Sequence, residues 1–120
     1  MIRNFTLVFL TIFSFSFSTI SAQTTVDCAV GPENINFCYG NDENLTLTYQ
    51  SSNGSSLNIN VLDGFLESCC DDFIIQDSDG TELFNSGGDI SGIFYQSSGD
   101  SLTVIIQSDI SINCQESGFN

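Results

Sequence analysis

Basic side chains are almost absent from this chain. Its 120 residues contain one arginine, Arg3, and neither lysine nor histidine, against 15 acidic residues. Nucleic-acid binding is excluded, because neutralising phosphate groups requires lysine or arginine. Catalysis by a histidine-containing triad or through a lysine Schiff base is excluded as well.

Tryptophan, the residue best suited to stack on a sugar ring, is also absent. Two carboxylates can hydrolyse a glycosidic bond, but no acidic pair stands apart from the other acids. The adjacent Cys69 and Cys70 could act as a redox pair, yet a reactive thiolate needs positive charge nearby and these surroundings are acidic. We therefore predict that the chain is not an enzyme. The alternative is a small hydrolase that depends on Asp71 or Asp109.

The first 22 residues have the three regions of an export signal. Arg3 supplies a positive start, an apolar run follows from Phe5 to Phe17, and Ala22 places a small residue before the expected cut at Gln23. The apolar run is shorter than the roughly 20 residues that span a bilayer. We predict a signal peptide over residues 1–22 and one domain over residues 23–120. We also predict no membrane span after processing, and a secreted or cell-surface location.

Removal of this leader would make the charge imbalance complete. It takes away Arg3 and none of the acids, so no basic residue remains against 15 acidic ones, a formal charge of −15. The natural partners of such a chain are metal cations and basic protein surfaces. The alternative is that the charge serves solubility alone. Because 41% of the residues are hydrophobic, we expect a folded rather than a disordered chain.

Five cysteines, at positions 28, 38, 69, 70 and 114, indicate disulfides in an exported chain. Since five is odd, at least one thiol has no partner within the chain. A bridge between the neighbours Cys69 and Cys70 is disfavoured by the geometry that a disulfide requires. We expect Cys28 to pair with Cys38, and Cys114 to pair with Cys69 or Cys70. The spacing does not fit a zinc site.

Several short stretches have the pattern of β-strands. Apolar and polar residues alternate over residues 44–49, 57–61 and 102–106, as they do in half-buried strands. The continuous apolar run from Phe73 to Ile75 is typical of a strand that is buried on both faces. No window has helical spacing over three turns. The sequence therefore predicts an all-β fold.

Turn residues separate these stretches. Ser51–Gly54 ends in Asn-Gly, the strongest hairpin dipeptide, so we expect the strands on either side of it to pair. Asp77–Gly80 begins like an EF-hand calcium loop, but Gly88 stands where that loop needs glutamate, and a hairpin turn is favoured. Strands at intervals of about ten residues predict an antiparallel β-sandwich.

Three segments in order resemble the CUB domain. Gly64–Asp77 resembles the CUB pattern in which a cysteine and an aspartate precede a strand that ends in an Asp-Gly turn. Ser91–Val104 is similar to the stretch before the penultimate strands of that family. Ser108–Ser111, followed by Gly118 and Phe119, resembles its Ser-Asp-x-Ser motif leading to Gly-Phe. The match covers most of residues 28–120 and implies a jelly-roll sandwich.

A more specific resemblance is to CUB-like modules in large multidomain surface proteins secreted by gliding bacteria. In these, a Cys…Cys-Tyr pair, here Cys28 and Cys38-Tyr39, precedes residues rich in Asn and Asp, here 41–44. A strand ending in Asp-Ser-Asp-Gly-Thr, here residues 77–81, follows. Those proteins continue further, and residues 113–120 have the pattern of a loop leading into another strand. We therefore expect a fragment that lacks its last strand; the alternative is a short form completed by a partner.

Resemblance to calcium-binding CUB domains implies an acidic site at one end of the sandwich. Asp71 and Asp109 match two of its carboxylates. For the third, Asp63 has the family's spacing to Asp71, whereas Glu67 is closer to it in the same loop. Calcium prefers several oxygen ligands in flexible geometry, which converging carboxylates supply. The alternative is that these carboxylates are merely solvated.

The function that follows is that of a secreted, non-catalytic binding or adhesion module. Calcium would order its acidic loops, and a lysine on a basic partner protein would approach the ion-bound carboxylates, as the CUB resemblance implies. The alternative is a structural or spacer domain, without a ligand of its own, in a larger adhesin or exported enzyme.

Overall fold

Seven β-strands form the fold. The computed structural model describes residues 19–116, and no helix occurs among them. The strands are β1 (Ile20–Val26), β2 (Asn44–Ser51), β3 (Asn58–Asn60), β4 (Asp72–Asp77), β5 (Glu82–Ser86), β6 (Phe94–Gln96) and β7 (Ser101–Gln107). Over the same residues, no helical segment has the length and apolar character needed to cross a membrane. The predicted all-β class is confirmed.

The strands form two sheets. The larger sheet has the order β1-β2-β7-β4-β5, and the smaller one pairs β3 with β6. Strands β1 and β2 run parallel, whereas every other pair is antiparallel. Across the gap between the sheets, the rings of Phe84 on β5 and Tyr95 on β6 lie 5.9 Å apart. The arrangement is therefore a β-sandwich, as predicted.

The core lies between these sheets, and the strand patterns explain why. On β7, Leu102, Val104 and Ile106 are buried and alternate with less buried residues, as a strand with one face inward requires. On β4, the run Phe73 to Ile75 is buried throughout, and Ile75 has no exposed surface. The prediction of a central strand over 73–75 is confirmed, because β4 lies between β7 and β5.

The predicted hairpin at Asn53-Gly54 is wrong, although the turn itself is present. Gly54 has a φ of 78°, which suits glycine at a tight turn. The strand after the turn, β3, pairs with β6 in the small sheet rather than with β2. Both edges of β2 are already occupied, by β1 and by β7. The turn therefore carries the chain from one sheet to the other.

Two predictions fall mainly on residues that the structure does not describe. The predicted signal peptide covers residues 1–22, of which 1–18 lie outside the described residues. Because β1 begins at Ile20, the predicted cleavage before Gln23 would leave only Gln23 to Val26 of this strand. The Gly118-Phe119 pair, and the strand expected beyond it, lie outside the described residues as well. Both remain predictions.

The hairpin predicted at Asp77–Gly80 does join β4 to β5. The Asp77 carboxylate accepts hydrogen bonds from the backbone N–H groups of Ser98, at 2.8 Å, and Ser78, at 2.7 Å. It thereby ties this turn to the loop between β6 and β7. Because these bonds favour the ionised form, they lower the pKa of Asp77 below its ordinary value of 3.8.

The lowered pKa of Asp77 makes its contribution to stability depend on pH. A carboxylate with a depressed folded-state pKa stabilises the fold above its unfolded pKa and loses that effect as the pH falls through the folded pKa. We expect Asp77→Asn to lower the thermal midpoint at pH 7 and to lower it much less at pH 2.5. Asp72→Asn, at an exposed carboxylate, is the control. An equal loss for Asp77→Asn at both pH values would contradict the prediction.

Candidate cation site

The register of the large sheet brings the predicted acidic residues together. Asp72 at the start of β4 pairs with Gln107 at the end of β7. Asp71, which precedes β4, and Asp109, which follows β7, must therefore lie at the same end of the sheet. The backbone N–H of Asp109 donates to Oδ1 of Asp71 over 3.0 Å.

A third loop reaches the same sheet end. Asn44 at the start of β2 also pairs with Gln107, so the residues before β2 lie beside the loop after β7. The N–H of Asp42 donates to the carbonyl of Asp109 over 2.6 Å. The hydroxyl of Ser108 accepts a hydrogen bond from the N–H of Glu43 over 2.9 Å. Both bonds hold the two loops in a fixed relation.

Three carboxylates converge where these loops meet. One oxygen from each of Glu67, Asp71 and Asp109 lies within 4.8 Å of the other two. Asp71 is the most enclosed of them, with 1% of its surface exposed, and Glu67 and Asp109 are partly buried. The predicted grouping of these three residues is therefore present in the fold, and it could hold a metal ion.

Polar atoms without partners mark the centre of this group. Oδ2 of Asp71, Oε2 of Glu67 and the hydroxyl oxygen of Tyr39 are buried, and none has a hydrogen-bond partner. No other side-chain nitrogen or oxygen atom among the described residues has this combination. A buried polar atom without a partner is costly, and a ligand that binds these oxygen atoms would remove that cost. Carboxylate and hydroxyl oxygens are suited to a cation.

The pKa shifts of Glu67 and Tyr39 also favour a cation at this place. Burial raises the pKa of Glu67 above its ordinary value, and the negative charges of Asp109 and Asp71 raise it further. Burial also raises the pKa of Tyr39 to about 12, with a further contribution from the carboxylate of Asp71. Negative charge on Glu67 is thus disfavoured, and the chain after residue 3 has no basic side chain to offset it.

Asp63, the other candidate for the third carboxylate, lies outside the group. It is exposed, and its Oδ1 accepts a hydrogen bond from the hydroxyl of Ser91 over 3.4 Å. The N–H of the neighbouring Gly64 donates to the hydroxyl of Ser91, and its carbonyl accepts from the N–H of Ile90, which keeps this segment beside residues 90–91. Glu67, four residues before Asp71, therefore supplies the carboxylate for which Asp63 was the alternative.

The disulfides differ from the predicted pairs. Cys38 is bonded to Cys114, Cys69 is bonded to Cys70, and Cys28 is free and exposed. The expected Cys28–Cys38 bridge is wrong, because the register places Cys38 beside the segment that follows β7. The expected bridge from Cys114 to Cys69 or Cys70 is wrong as well, because Cys114 is bonded to Cys38. The bridge between the neighbours Cys69 and Cys70, which the sequence disfavoured, is present. The prediction of one unpaired thiol is confirmed.

Tyr39 is the member of the site that the sequence analysis did not identify. It is 4% exposed and follows Cys38, so the Cys38–Cys114 bond fixes its backbone near the loop that carries Asp109. The carbonyl of Tyr39 accepts a hydrogen bond from the N–H of Cys114 over 3.2 Å. In the sequence, the neighbouring Cys38 indicates that Tyr39 belongs to the site only if its pairing with Cys114 is known.

Comparison with known proteins supports the fold. Neither a scan against protein-family models nor a search of the curated proteins finds a match. Among solved structures, the chain is similar to one described as the full extracellular region of zebrafish Gpr126/Adgrg6, with a TM-score of 0.62 and 18% identity. The match covers 80% of this chain and 13% of that chain. At this identity the likeness establishes a shared fold, and membership of the CUB family stays a prediction.

Gly87 is the position at which the site backbone is most closely packed. A Cβ atom there would lie 2.7 Å from the carbonyl oxygen of Glu67 and closer still to that of Asp71. Only glycine allows the segment after β5 to approach the loop that carries both carboxylates.

We expect Gly87→Ala to displace the Glu67–Asp71 loop and to lower the free energy of unfolding by about 1–3 kcal/mol, as overpacking does. Gly40→Ala is the matched control, because the nearest atom to its added Cβ would be 3.6 Å away. Urea unfolding of both variants measures the difference. Equal stability of the two variants would contradict this account of the packing.

Proposed function

We propose that this chain is an extracellular, non-catalytic binding module of CUB-like type whose acidic loops are ordered by calcium. The observation that carries the proposal is the meeting of Glu67, Asp71 and Asp109, with buried oxygens that have no partner, in a chain without a basic side chain after residue 3. A carboxylate cluster of this kind needs protons or a cation. At neutral pH, a cation is the natural solution.

The ligand set favours calcium over other metals. Its available atoms are carboxylate and hydroxyl oxygens, which hard cations prefer and which zinc uses less readily than nitrogen or sulfur. Cys69 and Cys70 lie beside Glu67, but their sulfur atoms are joined in a disulfide and are not thiolate ligands. The ligands come from loops rather than from a rigid frame, and calcium tolerates such flexible geometry better than magnesium does.

The partner we propose is a basic protein surface. Every charged side chain after residue 3 is acidic, so a cationic partner is attracted at long range. Ile110 follows Asp109 directly and is 74% exposed. A lysine side chain that directs its ammonium group to the carboxylates would lay its aliphatic stem along this residue.

The second candidate function is a spacer domain without a ligand of its own. The disulfide Cys38–Cys114 and the continuous core favour a durable extracellular scaffold irrespective of any ion. Calcium dependence separates the two candidates, because a spacer has no need for a filled site.

The calcium step is tested by titration of the metal-free protein. We expect binding of one calcium ion by calorimetry and, at 100 times Kd, stabilisation by about 2.7 kcal/mol, seen as a higher thermal midpoint. Asp71→Asn should abolish both effects, because it removes the most buried of the three charges.

Asp63→Asn is the matched control, since this carboxylate lies outside the group. Its calcium affinity should equal that of the unchanged protein. If chelation of the metal leaves the thermal midpoint of the unchanged protein where it was, the calcium proposal is overturned and the spacer function is favoured.

The partner step is tested with an immobilised lysine-rich peptide. Simple attraction between opposite charges would weaken when calcium is added, because the ion reduces the negative charge of the module. Binding of the peptide to a site that calcium orders would instead become stronger when calcium is added, and this is the result we expect. Ile110→Ser should weaken it about fivefold by removing the apolar contact.

Leu62→Ser is the control for the apolar contact, at a side chain that is equally exposed, at 75%, but lies outside the acidic group. An acetylated form of the peptide, which has no lysine charge, should not bind. Weaker binding in calcium than in chelator would overturn the docking proposal.

A further inference from the structure

The Cys69–Cys70 disulfide lies between two of the cation ligands. Glu67 precedes it by two residues and Asp71 follows it directly. The N–H of Asp71 donates to the carbonyl of Glu67 over 3.2 Å, which closes the chain into a turn around the disulfide. Any change in the freedom of residues 69 and 70 therefore moves the two ligands relative to each other.

Glu67 connects the disulfide directly to the cation site. Its Oε1 lies 3.3 Å from Sγ of Cys69, and its Oε2 is the buried oxygen without a partner in the acidic group. A disulfide sulfur has no proton, so in the oxidised chain Oε1 receives no hydrogen bond from it. In the reduced chain the Cys69 thiol is a donor, and a carboxylate is a good acceptor for it.

From this geometry we propose that the Cys69–Cys70 disulfide is a redox switch that controls cation affinity at Glu67, Asp71 and Asp109. The oxidised turn holds Glu67 and Asp71 ready for the ion. The reduced turn is freer, and its Cys69 thiol competes with the ion for Glu67. This inference rests on the proposed function, because it concerns the regulation of the same site.

The switching reaction requires a dithiol reductant. One thiolate of the reductant attacks Sγ of Cys69 or Cys70, which breaks the disulfide and forms a mixed disulfide. The second thiol of the reductant then displaces the protein sulfur. The cysteines gain two electrons and two protons, and the reductant becomes a disulfide. Both Cys69 and Cys70 are exposed and accessible to such a reagent.

Thermodynamic linkage makes the effect reciprocal. If the disulfide strengthens cation binding by a given factor, the bound cation must stabilise the disulfide against reduction by the same factor. We expect this factor to be about ten, comparable to the loss of freedom of one backbone residue. The switch can therefore be measured either as a change in calcium affinity or as a shift in the reduction equilibrium of the disulfide.

The experiment measures calcium affinity by calorimetry in a Cys28→Ser background, which removes the free thiol and prevents exchange with it. The oxidised protein is compared with a Cys69→Ser/Cys70→Ser variant, whose hydroxyl groups stand in for the reduced thiols. We expect about tenfold weaker calcium binding in the variant. The ratio of reduced to oxidised dithiol at which Cys69 and Cys70 are half reduced, followed by alkylation and mass spectrometry, should rise about tenfold when calcium is present.

A second comparison separates this disulfide from Cys38–Cys114. The reductant should weaken calcium binding by the Cys28→Ser protein and leave that of the Cys69→Ser/Cys70→Ser variant unchanged. If the oxidised protein and the variant bind calcium equally, the switch is overturned while the proposed function stands. If the oxidised protein binds no calcium, both are overturned. A reduction equilibrium that is insensitive to calcium also rules out the switch.

Discussion

The constraint on which this structure depends is the enclosure of negative charge that the chain cannot neutralise by itself. Glu67, Asp71 and Asp109 bring their oxygens together at one end of the sandwich, and no lysine, arginine or histidine follows residue 3. Removing a charged group from water is costly unless a partner compensates it. Hydrogen bonds provide part of that compensation: the Asp109 N–H donates to Asp71, and the N–H and hydroxyl of Ser111 donate to Oδ1 of Asp109. The remainder has to come from outside the chain, either as protons or as a cation.

The fold maintains this arrangement through features that do not involve the charges. Pairing of β4 with β7, and of β2 with β7, sets the positions of the loops, and the core that drives this pairing is apolar. The Cys38–Cys114 bond joins the segment before β2 to the segment after β7, and close packing at Gly87 supports the Glu67–Asp71 turn. The site is therefore held in place by contacts that do not involve an ion.

The sequence predicted those parts of the molecule that depend on local pattern. Alternation identified β2 and β7, and the apolar run identified β4. That Asp71 and Asp109 lie together follows from the resemblance to calcium-binding CUB domains rather than from a local pattern. Prediction from the sequence failed for those features that depend on which strands pair with each other. The turn at Asn53-Gly54 has the chemistry of a hairpin, but β7 occupies the edge of β2 that β3 would need. The Cys38–Cys114 pair and the contribution of Tyr39 were missed because both follow from the long-range register of β2 and β7. The Cys69–Cys70 pair was missed because disulfide geometry disfavours a bridge between neighbours.

The same physical features explain why such a site would suit the proposed binding module. A rigid carboxylate group that already contained its own lysine would be satisfied permanently and could not respond to its surroundings. In the proposed module the sandwich provides position, while an ion or a cationic partner would provide the compensating charge. Binding energy that would otherwise be used to order the loops is available for recognition once the ion has ordered them. In the proposed function, an unneutralised carboxylate group on a sandwich scaffold would thus make recognition depend on the ions in the medium.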